Sequence, residues 1–343
     1  MLRNKALGCI VGGAIGDALG YPIEFNTYSH IVESFGENGV TDYVYNKGLI
    51  SDDTQMVLFT IDGLIKDKDY KGKHRERKVI DIYHSYLDWY VTQTYPYHNR
   101  YIYNGYSKTS KLLNIQDLFE LRAPGNTCLS ALSSGIMGTV KTPINNSKGC
   151  GGIMRVAPIG LYFKPELHHT AYVGNVAGDV AAITHGHPLG YIPSAVLACI
   201  IHKIVYYNTS LRDAVIESVT GVDKLYGHSN EMRYLRELLN RAFEYINNNK
   251  SDFENISKLG CNGSNGWVAE ETLAISVYCA LKYENDFEKA VIAAVNHDGD
   301  SDSTGAVTGN IVGSIVGYNN IPKRYIENLE LRNLIEEMAL KLI

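Results

Sequence analysis

The sequence predicts an all-α protein, because hydrophobic residues recur at helical spacing along most of its 343 residues. Two runs of glycines are spaced four residues apart, a spacing that places each run on one face of a helix. Seven segments carry the clearest helical patterning: 81–91, 193–207, 211–219, 230–246, 269–283, 287–295 and 322–342. Only residues 42–45 alternate as a β-strand would.

Residues that favour helix starts support several of these boundaries. Ser210, Asp286 and Pro322 each stand where a helix is expected to begin. Three short stretches are rich in Gly, Asn, Ser or Pro: 36–39, 143–152 and 260–266. Each is too short for a domain linker and suits a loop at a functional site. We therefore expect residues 1–343 to form a single domain.

Charge and composition narrow the classes of function. The chain has 32 Lys and Arg residues against 37 Asp and Glu, a formal net charge of -5. It therefore lacks the basic surface that nucleic acids and anionic membranes attract. Hydrophobic residues make up 45%, which is ample for a large core. We expect a monomer with no nucleic-acid or membrane partner.

The compartment follows from the N-terminus and the cysteines. Residues 7–16 have the length of a signal-peptide core, but Asp17 and Glu24 follow where a cleavage site of small residues would stand. We expect no stretch of about 18 or more apolar residues, the length that a membrane span needs. Six scattered cysteines lack metal-ligand spacing: Cys9, Cys128, Cys150, Cys199, Cys261 and Cys279. Such usage is typical of reduced thiols, so we expect a cytoplasmic protein.

The two glycine series predict closely packed core helices. They are Gly8, Gly12, Gly16 and Gly20, and then Gly305, Gly309, Gly313 and Gly317. On a helix each series lines one narrow face, although each glycine costs about 1 kcal/mol relative to alanine. Close approach of another helix would offset that cost through dispersion contacts. The alternative is two glycine-rich loops, but apolar residues fill both runs and no proline interrupts them.

Two acidic segments precede apolar runs and are the main candidates for chemistry. Residues 51–54 read Ser-Asp-Asp-Thr, and residues 298–304 read Asp-Gly-Asp-Ser-Asp-Ser-Thr. Each could simply cap a helix. A calcium-binding loop fits the second segment poorly, because Ser303 replaces the turn glycine and Gly309 the bidentate glutamate.

Both segments offer only oxygen ligands, which hard cations such as magnesium, manganese or calcium prefer. Five carboxylates are available: Asp52, Asp53, Asp298, Asp300 and Asp302. Carboxylates gathered in one place repel each other, and a cation would relieve that repulsion. The sequence therefore indicates one shared metal site built from both segments, with one or two ions.

A glycine-rich stretch and two histidines are weaker signals. The glycines of residues 149–152 would let backbone N–H groups approach an anion, and a helix beginning near Ile153 would add its positive end. The stretch is not a P-loop, since the terminal Lys-Ser/Thr is missing. His185 and His187 have no further zinc ligands at supportive spacing, so a core or substrate-contacting role is expected.

Taken in order, these segments resemble the ADP-ribosylglycohydrolase family, which includes arginine-specific hydrolases and the enzyme that reactivates dinitrogenase reductase. The resemblance spans nearly the whole chain. It rests on residues 16–20 with Glu24, 51–54, 149–155, 184–188 and 299–306. It implies a compact orthogonal bundle of helices that holds two divalent cations, Mg2+ or Mn2+.

The resemblance also implies roles for individual residues. The metal ligands would be Ser51, Asp52, Asp53, Asp300, Asp302 and Ser303. Gly149, Cys150, Gly151 and Gly152 would lie in the phosphate-contacting loop. His185 would contact the ligand, and Glu24 would be the mobile glutamate near the substrate. Asp298 falls before the matching motif and is expected to support a ligand only.

The implied reaction is hydrolysis of the bond between ADP-ribose and a modified protein side chain, which releases ADP-ribose. Asp53 and Asp302 are the first candidates for the general base, and Glu24 is the alternative acid or base. We expect an arginine linkage. Serine, O-acetyl-ADP-ribose and nucleic-acid linkages stay open as alternatives, as does a non-catalytic ADP-ribose-binding protein. Residues 21–46 are expected to form a mobile flap that carries Glu24.

Overall fold

The computed structural model describes residues 1–66, 75–101, 109–260 and 263–343. Within these ranges the chain forms sixteen α-helices, several 3-10 turns and no β-strand. The helices are α1 (Leu2–Gly20), α2 (Tyr28–Phe35), α3 (Asp52–Ile65), α4 (Arg75–Thr94), α5 (Asn126–Ser133), α6 (Ala157–Tyr162), α7 (Thr170–Ala182), α8 (Pro188–Tyr207), α9 (Leu211–Tyr226), α10 (Asn230–Tyr245), α11 (Asp252–Leu259), α12 (Ala269–Lys282), α13 (Phe287–Val295), α14 (Ser301–Val316), α15 (Lys323–Glu327) and α16 (Arg332–Leu340). The all-α prediction is confirmed.

Helices α1 and α14 form the central antiparallel pair, and the two glycine series face each other across it. Three glycine pairs meet in register: Gly8 with Gly313, Gly12 with Gly309, and Gly16 with Gly305. A Cβ placed on Gly12 would lie 2.5 Å from the carbonyl oxygen of Gly309, so the backbones are in direct contact. The prediction of closely packed glycine helices is confirmed.

This contact fixes where the second acidic segment begins. At the end of the α1 series, a Cβ on Gly20 would overlap the backbone of Ser301 in the first turn of α14. Asn310 adds a hydrogen bond across the pair, from its Nδ2 to the carbonyl oxygen of Cys9 at 2.8 Å. The C-terminal end of α1 and the N-terminal end of α14 are therefore held side by side.

Most of the predicted helices are present, and several begin at the expected residues. Ser210 caps α9 and Asp286 caps α13, each accepting a hydrogen bond from a backbone N–H in the first turn. Helix α8 begins at Pro188, five residues before the predicted start, with Pro193 inside it. Its N-cap is His187, whose Nδ1 accepts the N–H of Leu189 at 3.0 Å.

The prediction of one helix over residues 322–342 is wrong. The chain forms α15 and α16 there, separated at Leu331, which has a φ of 52°. The backbone between them pairs with another segment: Gly48 donates to the carbonyl of Asn328, and Glu330 donates to the carbonyl of Gly48, both at 2.9 Å. A helix cannot continue through residues whose backbone groups bond elsewhere.

The strand-like alternation of residues 42–45 does not produce a strand. Asp42 starts a turn by accepting the N–H of Tyr43 at 2.8 Å. The Tyr43 ring turns inward, and its hydroxyl donates to the carbonyl of Tyr325 at 3.1 Å. Asp side chains favour such local backbone bonds over extended structure.

Two helices pass a membrane-span test of length and composition, contrary to the expectation that none would. They are Leu2–Ile23, in which 83% of the most apolar stretch is buried inside the protein, and Pro188–Tyr207, in which 89% is buried. The first contains the glycine face that contacts α14, so its apolar character belongs to the core. Of the cysteines, Cys261 lies outside the described residues, and the other five are free thiols.

Gly12→Ala should destabilise the protein, because the added methyl would lie 2.5 Å from a backbone oxygen of α14. We expect the free energy of unfolding to fall by about 1–3 kcal/mol, measured by urea denaturation. Gly221→Ala in α9 is the matched control, since a Cβ there meets nothing within 4 Å. It should raise stability by about 0.5–1 kcal/mol. Equal effects of both substitutions would contradict the close contact.

Candidate active site

A cavity of about 410 Å³ lies beside the N-termini of α3 and α14. It is lined by Glu24, Phe25, Asp52, Asp53, Ala123, Pro124, Gly125, Asn126, Thr127, Cys128, Gly149, Cys150, Gly151, Met154, His185, Trp267, Asp300, Asp302 and Ser303. All the residues assigned to the site from sequence are in this set except Ser51 and Gly152. The structure therefore brings together segments that are about 250 residues apart in the chain.

The first acidic segment is held by a carboxylate from α1. Ser51 caps α3, its hydroxyl oxygen accepting the N–H of Asp53 at 3.2 Å. Asp17 accepts the N–H of Ser51 at 3.0 Å, the N–H of Thr54 at 3.1 Å and the hydroxyl of Thr54. The capping alternative therefore holds for Ser51, while the carboxylates of Asp52 and Asp53 still line the cavity.

The second acidic segment also caps a helix and faces the cavity. Asp300 accepts the N–H of Ser303 through Oδ1 at 3.2 Å, and its Oδ2 accepts the thiol of Cys150 at 2.9 Å. Asp298 lies apart from the cavity lining, and its Oδ1 accepts the N–H of Tyr28 at 2.5 Å. Asp298 thus anchors the start of α2.

The carboxylates form two groups that could each hold a metal ion. Ligand oxygens of Asp52, Asp53 and Asp302 all lie within 4.8 Å of one another, and so do those of Glu24, Asp300 and Asp302. The buried Oδ1 of Asp53 has no hydrogen-bond partner among the described residues. An oxygen-only donor set with an unpaired buried carboxylate oxygen fits a hard divalent cation. Glu24, which the sequence placed near substrate, is thus also a candidate ligand.

Burial and mutual repulsion disfavour the charged forms of these groups. Burial, then the neighbouring carboxylates, raise the pKa values of Asp53 and Asp302 well above the usual range. Burial, then Asp300 and Asp52, raise the pKa of Glu24 to about 8. Burial raises the pKa of Asp17 only to about 6, because its hydrogen bonds to Thr54 and Ser51 favour the charged form. Several carboxyl groups in this cluster therefore favour their neutral forms unless a positive charge lies close by.

The glycine-rich loop is built differently from the sequence prediction. No helix begins near Ile153: residues Cys150–Gly152 form a 3-10 turn, and α6 starts at Ala157. Pro158 falls in the first turn of α6, a position that favours a helix start there. The helix that was expected to point its positive end at an anion is therefore displaced.

Close packing against neighbouring residues explains the glycines of this loop as well as the approach of an anion would. The N–H of Cys150 donates to the carbonyl of Trp267 at 3.0 Å, so it is not free for a phosphate. A Cβ on Gly151 would lie 2.8 Å from the His185 ring, and one on Gly152 would lie 2.9 Å from the carbonyl oxygen of Gly190. These glycines let the loop lie directly on His185 and α8.

His185 is a buried, neutral ring at the cavity wall. Its Nδ1 lies 2.8 Å from the hydroxyl oxygen of Thr184, which also accepts a hydrogen bond from Arg155 at 2.7 Å. Burial, then the charge of Arg155, lower the pKa of His185 to about 3. The ring therefore offers hydrogen bonds without a positive charge near neutral pH. His187 caps α8, so the two histidines have different roles.

Several site residues had not been assigned from the sequence. Gly125 donates its N–H to Asp52 Oδ2 at 3.0 Å, and residues 123–128 form one wall of the cavity. The rings of Phe25 and Trp267 are 57% and 54% exposed and line the same cavity. Residues 123–128 have no motif that would single them out, whereas Phe25 directly follows the predicted Glu24.

A partly buried ion pair holds the backbone on both sides of Ser51. Arg122 makes two hydrogen bonds to Glu330, both at 3.1 Å. Glu330 accepts the N–H of Ile50 at 3.1 Å, and the carbonyl of Arg122 accepts the N–H of Asp52 at 3.0 Å. The backbone on both sides of Ser51 is therefore fixed by this pair. Arg122 and Glu330 are 208 residues apart, so sequence spacing gave no signal.

The fold and the cavity together define a class: an all-helical protein whose α3 and α14 begin at one carboxylate-lined cavity. The model of the ADP-ribosylglycohydrolase family matches residues 1–343, and the chain belongs to the ADP-ribosylglycohydrolase family. The resemblance inferred from the sequence motifs is confirmed.

Relatives and a solved structure agree with this assignment. The chain is 26% identical over 342 residues to the ADP-ribosylarginine hydrolase Tri1 of Serratia proteamaculans, covering 98% of this chain and 78% of the relative. It is 24% identical over 337 residues to the ADP-ribosyl-dinitrogen reductase glycohydrolase of Rhodospirillum rubrum, covering 96% and 92%. A solved ADP-ribosylglycohydrolase-related protein complex has a TM-score of 0.66 at 23% identity, covering 99% and 97%, which shows the shared fold.

Asp302→Asn should weaken the response to divalent cations, because Asp302 belongs to both carboxylate groups. Magnesium or manganese at about 100 times the dissociation constant should stabilise the wild type by about 2.7 kcal/mol, and the variant by much less. In chelator the variant should be at least as stable as the wild type, since one repelling carboxylate is gone. Thermal unfolding with and without each ion measures both effects.

The control for this experiment is Asp298→Asn, which keeps an oxygen for the N–H of Tyr28 and lies outside the cavity lining. It should keep the wild-type increase in Tm on adding the ion. If the cation raises the Tm of the Asp302 variant as much as that of the wild type, Asp302 is not a ligand.

Proposed function

We propose that this ADP-ribosylglycohydrolase hydrolyses the N-glycosidic bond between ADP-ribose and an arginine side chain, with the help of two divalent cations, Mg2+ or Mn2+. The observation that carries the proposal is the meeting of Asp52 and Asp53 with Asp300 and Asp302 in one cavity. The reaction would reverse mono-ADP-ribosylation of a protein and release ADP-ribose.

The donor set fits two cations that share Asp302. Asp52 and Asp53 would complete one site and Asp300 the other, while Glu24, which lies beside Asp300 and Asp302, would stay unbound so that it can hold a proton. The hydroxyl of Ser303 lines the cavity, and that of Ser51 adjoins it in the chain. When bound, such ions polarise water and orient the hydroxyls of a ribose.

The chain's own carboxyl groups would handle the protons. Hydrolysis breaks the bond from the anomeric carbon to the guanidine nitrogen and adds the oxygen of water to that carbon. Asp53 and Asp302 are the candidates to take the proton of water, because their oxygens lie together in the cavity. Glu24 is partly exposed, and burial raises the pKa of its carboxyl group, so it can give a proton to the leaving nitrogen. The nearby negative charges would stabilise positive charge at the anomeric carbon.

The wall formed by residues 149–151 suits the diphosphate of ADP-ribose. Gly149, Cys150 and Gly151 line the cavity next to the buried ring of His185. Because this ring is neutral, it can hydrogen-bond to a phosphate oxygen whatever the pH within the physiological range. We therefore place the ribose at the carboxylates and the diphosphate along the loop.

The cavity chemistry favours arginine as the modified residue. Five carboxylates line it, and no lysine or arginine is among its described lining residues. A guanidinium leaving group is attracted to such a wall, whereas a serine hydroxyl is neutral. The name of the Serratia relative agrees with this linkage. We further propose a monomer in the cytoplasm that acts on ADP-ribosylated proteins.

Incubation with peptides that carry ADP-ribose on arginine or on serine, and with ADP-ribosylated DNA, tests the linkage. We expect free ADP-ribose from the arginine peptide in magnesium or manganese and almost none in chelator. Release mainly from serine, DNA or O-acetyl-ADP-ribose would replace the arginine assignment. Release from no substrate, with ADP-ribose binding intact, would indicate a binding protein.

Glu24→Gln should lower kcat on the arginine peptide by about 100-fold or more, because it removes the group that transfers a proton. The dissociation constant of ADP-ribose should change far less, as calorimetry can show. Glu33→Gln on α2 is the matched control, since Glu33 is exposed and does not line the cavity. Parallel losses of turnover and ADP-ribose affinity would contradict a role for Glu24 in proton transfer.

A further inference from the structure

Phe25 has an unusual backbone conformation beside the carboxylates. Its φ is 58°, in the left-handed region that residues other than glycine rarely adopt. Its ring is 57% exposed and lines the cavity. An aromatic residue held in a costly conformation with an exposed ring points to a function rather than to packing.

Two hydrogen bonds fasten the segment that carries this ring. The N–H of Phe25 donates to the carbonyl of Gly299 at 2.6 Å, and the N–H of Tyr28 donates to Asp298 at 2.5 Å. The Tyr28 ring stacks on Phe253 of α11, with centroids 4.2 Å apart. Phe25 is therefore pinned to the residues that directly precede Asp300.

The location of the ring indicates what it would bind. Phe25 follows Glu24 in the chain, and both line the wall that also includes Asp300 and Asp302. A carboxylate can accept hydrogen bonds from the edge of a guanidinium, while an aromatic face attracts its charged plane. The other exposed ring of the cavity, Trp267, is joined instead to the glycine-rich loop through its carbonyl.

We propose that Phe25 is a specificity-determining residue: its ring stacks on the guanidinium of the ADP-ribosylated arginine while Glu24 faces the edge of that group. The inference rests on the proposed arginine linkage and assigns a place for the modified side chain. A neutral serine substrate would gain little from this ring.

The test compares four variants with the wild type on the arginine peptide and in binding of free ADP-ribose. Phe25→Leu keeps an apolar side chain without a π face and should lower kcat/KM for the arginine peptide about tenfold. Phe25→Tyr should restore near wild-type values. Phe25→Asn removes the ring and should therefore lower turnover of the arginine peptide. Because asparagine tolerates the left-handed backbone, this variant should remain at least as stable as the wild type.

Phe35→Leu is the control, since Phe35 is an exposed phenylalanine of α2 outside the cavity lining. It should leave turnover unchanged. In all variants the dissociation constant of ADP-ribose should stay within about twofold of the wild type, since the ring is assigned to the arginine and not to the nucleotide.

Three outcomes would overturn the inference. Wild-type kcat/KM in Phe25→Leu would show that the ring is not used, with the arginine linkage itself intact. A matching loss of ADP-ribose affinity would show that the ring holds the nucleotide. If the wild type releases nothing from the arginine peptide, the proposed function and this inference fail together.

Discussion

The direct contact between the backbones of α1 and α14 is the constraint on which the rest of the structure depends. It requires glycine at the three positions of each helix that face one another, since a single Cβ on Gly12 would meet the backbone of Gly309. The contact sets Asp17 at one end of the pair beside the start of α14. Asp17 in turn holds the first turn of α3. One helix pair thus determines where two acidic segments meet.

Hydrogen bonding distinguishes Asp17, which holds the start of α3, from the carboxylates that line the cavity. Asp17, Asp53 and Asp302 are all nearly fully buried. Asp17 accepts hydrogen bonds from Ser51 and Thr54, which stabilise its charge. Asp53 has one oxygen with no partner among the described residues, so hydrogen bonds stabilise its charge less completely than that of Asp17. A cation bound between these carboxylates would therefore offset the repulsion between their charged forms.

The sequence predicted those features whose signal is local. The glycine period, the acidic segments and the caps at Ser210 and Asp286 are each visible within a few residues. Pairings between distant segments left no such signal. The break at Leu331 depends on Gly48, and the support of the first acidic segment depends on Glu330. Both are set by backbone hydrogen bonds that spacing along the chain does not encode.

The carboxylates of the cavity and the segment that carries Glu24 and Phe25 differ in how strongly packing restricts their side chains. Asp53, Asp300 and Asp302 are at most 3% exposed and sit at the N-termini of core helices, so any change there disturbs the helix contact or the charge balance. Glu24 and Phe25 belong to a short segment outside that pair, held at Phe25 by a backbone hydrogen bond that does not use the side chain. A family that acts on several ADP-ribosyl linkages needs a fixed ribose site and an adjustable wall for the modified side chain. In this chain packing fixes the carboxylates, whereas the side chain of Phe25 is largely exposed.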